Sequence, residues 1–271
     1  MNLNTITEVK RPASFDDIRD WRDGYSWLAG GTWLFSEPQV AIDTLIDLDS
    51  LGWVPLTVTK AGLDIAATCR VIELHDFKGP SGWLAVPLFH KCIDAFLMSF
   101  KIWNAATIGG NICMSLPAGA MISLTAALEG VCTLWPCDGE PRQVPVVDFV
   151  TGNHQNVLQK GELLRNVHLP AAALSKRSAM RQVSLTKFGR SAALIIATVG
   201  DDGADFLLTV SAATPRPVQL RFAAYPSSDE LRRALDARLP PEAYFDDVHG
   251  SAPYKRHVTH YLAEQIRAEL A

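Results

Sequence analysis

The sequence predicts an α+β fold in two parts, on three observations. The first half alternates short apolar runs with glycine-bearing turns and sets two helices among them. The stretch from Pro170 to Ser178 is rich in alanine and serine and marks a boundary. Beyond it, β-like runs joined by a short turn suggest an antiparallel sheet, after which helices close the chain.

Taken in order, Leu56 to Thr59 and Leu63 to Ala67 are β-like runs split by Lys60, Ala61 and Gly62, and they predict a hairpin. Between Phe89 and Phe100 the residues Phe89, Cys92, Ile93, Phe96, Leu97 and Phe100 recur at helical spacing, which predicts one continuous buried helix. A second helix is expected from Pro117, a favourable first-turn residue, to Gly130, which can adopt a left-handed closing conformation. Val131 to Trp135 and Gln143 to Val147 then form another hairpin around PCDG. In the second part Gln182 to Thr186, Ala193 to Val199 and Phe206 to Ser211 are the expected strands, with Asp201, Asp202 and Gly203 as one turn. The last helix starts after Ser251, a good N-cap, with Tyr254, Val258, Tyr261, Leu262, Ile266 and Leu270 on one face.

Composition narrows the function. Of the 271 residues 48% are hydrophobic and 20% charged, which fits a folded soluble protein. The net charge of −4 and the scattered lysines and arginines leave no basic stripe for nucleic acid. No run approaches the roughly 20 apolar residues of a membrane helix. The opening MNLNTITEVKRPASFDD lacks the apolar core of a signal peptide, so a cytoplasmic chain is expected. Five cysteines, an odd number without a CxxC pair, argue for buried free thiols.

Two glycine loops carry most of the functional signal: Leu28-Ala29-Gly30-Gly31-Thr32-Trp33-Leu34 and Ala106-Thr107-Ile108-Gly109-Gly110-Asn111. Paired glycines let backbone approach a ligand closely and gather successive N–H groups into one concavity, and a neighbouring hydroxyl or amide adds a directed donor. A pyrophosphate suits such a surface. Neither loop is GxGxxG or a lysine-bearing phosphate loop, and a glycine pair alone is more often a tight turn.

The order and spacing of further segments resemble the FAD-binding subunit of the molybdenum hydroxylases, the family of xanthine dehydrogenase and carbon monoxide dehydrogenase. LAGGTWL resembles the first flavin loop, TLIDLDSLG the strand after it, GLDIAATCRVIEL the hairpin and helix start, and NAATIGGNIC the second flavin loop. LPAGAM, GELLRNVHLP, LTKFGRSAALIIA and the terminal VHGSAPYKRHV continue the likeness over nearly the whole chain.

The resemblance implies a two-part FAD-binding domain of the PCMH type over residues 1–172, with subdomains at about 1–53 and 54–172, and a smaller C-terminal domain over 179–271. It implies FAD as cofactor, electrons arriving from iron-sulfur clusters on a partner subunit, and molybdopterin on a third chain. Ala29, Gly30, Gly31, Thr32, Trp33 and Leu34 with Ala106, Thr107, Ile108, Gly109, Gly110 and Asn111 would embrace the pyrophosphate and adjoining sugar. Leu97 and Leu164 would line the flavin pocket, and Lys187 matches a lysine that contacts the cofactor in some relatives.

Three positions depart from the family pattern. Ala120 stands where many members have an aspartate that bonds the flavin's sugar-derived chain, Trp33 replaces a small or acidic residue, and Trp103 stands where arginine is common. Trp33 either stacks on a ring or fills a gap. These departures keep open an assembly subunit with weak or absent FAD binding, beside a stand-alone flavin oxidase or dehydrogenase. The histidines offer no catalytic or metal-ligating set: His257 and His260 are three apart on the last helix without a third ligand in view.

Overall fold

A computed structural model describes residues 3–271 and places them in four sheets and nine α-helices among those residues. The first three strands, β1 (Glu8–Lys10), β2 (Tyr25–Leu28) and β3 (Thr44–Asp47), form a parallel sheet in the order β1-β3-β2. Leu45 and Ile46 are buried in its central strand. The chain leaves β2 directly into the first glycine loop, which hangs off the end of a half-buried strand paired with the buried β3.

The predicted hairpin is present as β4 (Leu56–Val58) and β5 (Gly62–Ala66), followed by the short helix α1 (Val71–His75). The helix expected to run unbroken to Phe100 does not. Helix α2 (Pro87–Asp94) buries Leu88, Phe89, Cys92 and Ile93, then stops. Leu97 turns left-handed at φ 53°, and Ser99 precedes a separate single turn, α3 (Phe100–Trp103). An apolar stripe at helical spacing is thus shared by two helices and a tight turn, which spacing alone cannot distinguish.

Helix α4 (Ile108–Met114) opens the second glycine loop and leads to α5 (Ala120–Ala127), every residue of which is buried. Helix α5 begins at Ala120, after Gly119 as N-cap, rather than at Pro117, and Glu129 at φ 56°, not Gly130, takes the left-handed position beyond its end. Gly130 donates its amide to the Thr125 carbonyl at 2.7 Å, and a Cβ there would also meet that oxygen at 2.7 Å. Close approach, not conformational freedom, is why this position is glycine.

Strands β6 (Val131–Trp135) and β7 (Arg142–Pro145) form the second expected hairpin. After α6 (Val146–Phe149) and the small pair β8 (Val150–Gly152) and β9 (Gln155–Asn156), the long strand β10 (Leu163–Pro170) joins the two hairpins. The result is an antiparallel sheet in the order β4-β5-β10-β6-β7. The alanine-rich stretch is no free linker: α7 (Ala171–Leu174) buries Ala173 and Leu174, and the Leu174 carbonyl accepts the Ala85 amide at 2.9 Å.

The second part is an antiparallel sheet as expected, a meander of β11 (Arg177–Val183), β12 (Ala193–Val199), β13 (Phe206–Ser211) and β14 (Val218–Phe222). Of the run expected as its first strand, Gln182 to Thr186, only Gln182 and Val183 are in β11, and the rest belongs to the connection to β12. Strands β12 and β13 are buried at every residue because both faces are covered. One face meets α5, where the Ser123 and Ser211 hydroxyls lie 2.6 Å apart. The other meets α8 (Ser228–Arg238) and α9 (Ala252–Leu270). Ser251 caps α9 as expected, and Val258, Leu262, Ile266 and Leu270 are buried, whereas Tyr261 is exposed. No helix among the described residues is long and apolar enough to cross a membrane.

Candidate functional site

The two glycine loops meet. The first lies on the second so closely that a Cβ at Gly30 would sit 1.9 Å from the Ala105 carbonyl oxygen. Gly31 takes φ 68°, a left-handed value that L side chains rarely adopt. Between the loops lies a cavity of about 500 Å³, within the usual range for small-molecule sites. Its walls include Ala29 to Leu34, Ala106, Thr107, Gly109 to Asn111 and Leu164. Leu48, Val71, Met98, Ile102, Leu158 and Leu163 make the rest predominantly apolar.

The loops differ in what their backbones can offer. In the second, every amide from Ile108 to Asn111 is already bonded. Ile108 donates to Cys69 O at 2.8 Å, Gly109 to Ala67 O at 3.0 Å, Gly110 to Thr107 Oγ1 at 3.1 Å and Asn111 to Thr107 O at 3.0 Å. In the first loop the amides of Gly30, Gly31, Thr32, Trp33 and Leu34 have no acceptor among the described residues. Five successive unsatisfied N–H groups on a cavity wall form an anion-binding concavity.

Among the described residues no lysine, arginine or histidine lines the cavity, and Glu162 is the one formal charge in its wall. Burial pushes the Glu162 carboxyl up, but Arg142 and the Gln159 amide outweigh this and hold it below the ordinary value. Arg142 grips it through Nε and Nη2, each at 2.7 Å, and Gln159 N donates at 2.9 Å. The Glu162 carbonyl accepts Trp27 Nε1–H at 3.2 Å. Cys113 also lines the cavity, and burial pushes its thiol up to about 12, so it is neutral and inert at physiological pH.

A second cavity of about 350 Å³ shares Trp33, Asn111 and Leu116 with the first and lies between the two parts of the chain. Its wall is more polar and carries Asn153, His154, Arg190, Asp247 and His249. Asp247 is engaged by buried Lys255 at 2.9 Å, while Arg190 has no acidic partner among the described residues. Asn111 Oδ1, at the junction, is buried without a hydrogen-bond partner. A buried acceptor left unmade costs about 1–3 kcal/mol, so this atom is poised for a ligand donor.

Three expected site residues stand elsewhere. Ile108 is wholly buried in the core, Leu97 is substantially exposed on its left-handed turn, and neither lines either of these two cavities. Lys187 is exposed with its ammonium 5.4 Å from the Phe188 ring centre, and Arg190 of the same segment reaches the second cavity instead. Glu162, Met98, Ile102 and His249 were not legible as site residues, because nothing in their local spacing marks them.

Residues 5–172 match the model of the FAD binding domain in molybdopterin dehydrogenase. The chain belongs to this family of FAD-binding domains. It is 34% identical to xanthine dehydrogenase 2 of Arabidopsis thaliana over 191 residues, 63% of this chain and 13% of that protein. It therefore spans about an eighth of that relative's length. It is 24% identical to the glyceraldehyde dehydrogenase medium chain of Sulfolobus acidocaldarius over 262 residues, covering 90% of each. The fold matches a chain of CO dehydrogenase from Oligotropha carboxidovorans at a TM-score of 0.81 and 19% identity, over 97% of this chain and 98% of that one. It matches a chain of quinoline 2-oxidoreductase from Pseudomonas putida 86 at 0.78 and 18%, over 97% and 95%.

The residues present fit the family's cofactor. A dinucleotide needs donors for its pyrophosphate, and the Gly30–Leu34 amides supply them. It needs apolar walls for a ring, which Val71, Met98, Ile102 and Leu164 provide. Ala120 is buried in the first turn of α5, lines neither cavity and offers no acceptor. Trp103 lies outside both cavities, against His75 at 5.0 Å between ring centres.

Proposed function

We propose that this chain is the FAD-binding electron-transfer subunit of a molybdenum hydroxylase complex. It takes electrons from iron-sulfur clusters on a partner subunit and delivers them to an acceptor, while a third chain holds the molybdopterin. The reading rests on one observation above others: a row of five free backbone amides beside a cavity of dinucleotide-binding size. Bound FAD would supply the redox chemistry, since it can exchange electrons singly or in pairs.

The chain's own residues then have separable tasks. The Gly30–Leu34 amides hold the pyrophosphate without a cation, each bond to a charged oxygen contributing about 1.5–3 kcal/mol. Asn111 Oδ1 accepts from a hydroxyl of the ligand at the junction of the cavities. Met98, Ile102, Leu163 and Leu164 exclude water from an aromatic ring. Arg190, rather than Lys187, brings a positive charge to the polar cavity, where it would favour an anionic reduced flavin by Coulomb attraction. Residues 1–172 make up the cofactor domain and 179–271 the smaller domain in this account, and the complex acts in the cytoplasm.

The absence of an acceptor at Ala120 favours a second reading, an assembly subunit that keeps the fold and binds FAD weakly. One titration separates the two. The purified full chain is mixed with FAD while flavin retention after desalting and the melting temperature are followed. Stoichiometric retention with a raised melting temperature is expected, because a native-state ligand stabilises by mass action. No retention and no shift at high FAD would favour the assembly reading.

A further inference from the structure

Trp33 is the one aromatic residue among the five that carry free amides, and it borders both cavities. Its backbone is fixed: the Trp33 carbonyl accepts both the Ser36 amide and the Ser36 hydroxyl at 2.8 Å, and Phe35 N bonds Gly31 O at 2.8 Å. Its indole does not pack into either apolar core and is half-buried. The ring's aromatic neighbour is His154, at 5.5 Å between centres and tilted by 48°. His154 is itself held by its amide, which donates to Ser115 O at 3.0 Å. Trp33 Nε1–H has no acceptor among the described residues.

A tryptophan filling a gap would be enclosed by apolar side chains with its N–H satisfied. This one is braced from one side by a histidine and otherwise borders open space in both cavities. We propose that Trp33 is a stacking platform for the isoalloxazine ring of the dinucleotide, which lies in the polar second cavity while the apolar first cavity takes the other end. The inference rests on the FAD-binding reading above. The assignment of ends follows from chemistry: the flavin's carbonyls and ring N–H call for the polar partners that Asn153, Arg190 and His249 provide, whereas the first cavity is lined mostly by aliphatic side chains. Ring stacking here would restore affinity that the alanine at position 120 does not supply.

The stack has an optical signature. An indole in contact with an excited isoalloxazine gives it one electron and receives that electron back, so the flavin returns to its ground state without emission. The test compares flavin emission per bound FAD in the wild-type full chain, W33F, W33L and W27F. Trp27 is the control because it also lines the first cavity but is tied to the Glu162 carbonyl and packed on Trp21 at 4.5 Å.

Wild-type chain that binds FAD darkly, with emission recovered at least fivefold in W33F and unchanged in W27F, is the expected result. W33L should recover emission as well and bind about tenfold more weakly, as loss of about 1.4 kcal/mol of stacking dictates. If W33F and W33L retain FAD as dark as the wild type, or W27F alone recovers emission, the platform is refuted while FAD binding stands. If the wild-type chain retains no FAD, both readings fall. A W33F that does not fold leaves W33L and the picosecond emission decay of the wild type to decide, a decay as slow as that of free FAD counting against the stack.

Discussion

The two glycine loops look alike in sequence and do different work. Both pair glycines beside a threonine, yet the amides of Ile108 to Asn111 are spent inside the protein and those of Gly30 to Leu34 are free. The second loop is scaffold: Gly109 lies against Ala67 with no room for a Cβ, and Thr107 caps α4. The first loop is the ligand-facing surface. A shared motif therefore reports close backbone packing, and only the hydrogen-bond partners say whether the donors remain available.

Substitutions can break this division or sharpen it. The largest effect is expected for Gly109→Ala, whose Cβ would meet the Ala67 Cα at 2.6 Å. Overpacking of this kind costs about 1–3 kcal/mol and backbone is slow to give way, so the apoprotein's melting temperature should fall by roughly 3–10 °C. A melting temperature equal to wild type would show that the second loop is not packed as described.

Asn111→Leu is next, and it separates binding from folding. It removes an acceptor that has no partner among the described residues, so the apoprotein should lose no stability while FAD binding weakens about tenfold, or ~1.4 kcal/mol. A drop in apoprotein melting with unchanged affinity would assign Asn111 to the scaffold. Thr107→Ala should do the reverse, costing about 1 kcal/mol of stability through the lost cap and changing affinity less than twofold.

The smallest effect is a pH dependence at the cavity wall. Glu162 has a folded-state pKa below its unfolded value, so the stability it contributes is present above the unfolded value and is lost as pH falls through the folded one. Melting curves below about pH 4.5, the region where a free glutamate begins to protonate, should decline more steeply in the wild type than in Glu162→Gln. Parallel curves would mean that the Arg142 pair is not maintained in solution.

Much of the fold was readable because its hairpins and meander have marked ends: Gly62, the PCDG turn and Gly203 separate runs of β-branched and aliphatic residues. The break between α2 and α3 was not readable, since Phe96 and Phe100 keep helical spacing while Leu97 turns left-handed. Gly130 misled for a related reason, as glycine there answers to the Thr125 carbonyl and Glu129 makes the left-handed turn. The glycine loops were visible as motifs, but their free and tied amides depend on Cys69 and Ala67, distant in sequence. Lys187 drew attention through its resemblance to a known lysine, whereas Arg190 reaches the second cavity because of how the segment after β11 is folded.

Amide hydrogen exchange, resolved residue by residue with and without FAD, tests the division of labour most directly. The amides of Gly30 to Leu34 should exchange rapidly in the apoprotein and become protected when FAD is added, while those of Ile108 to Asn111 should be protected in both. Protection gained at Ile108 to Asn111 with Gly30 to Leu34 unchanged would contradict it.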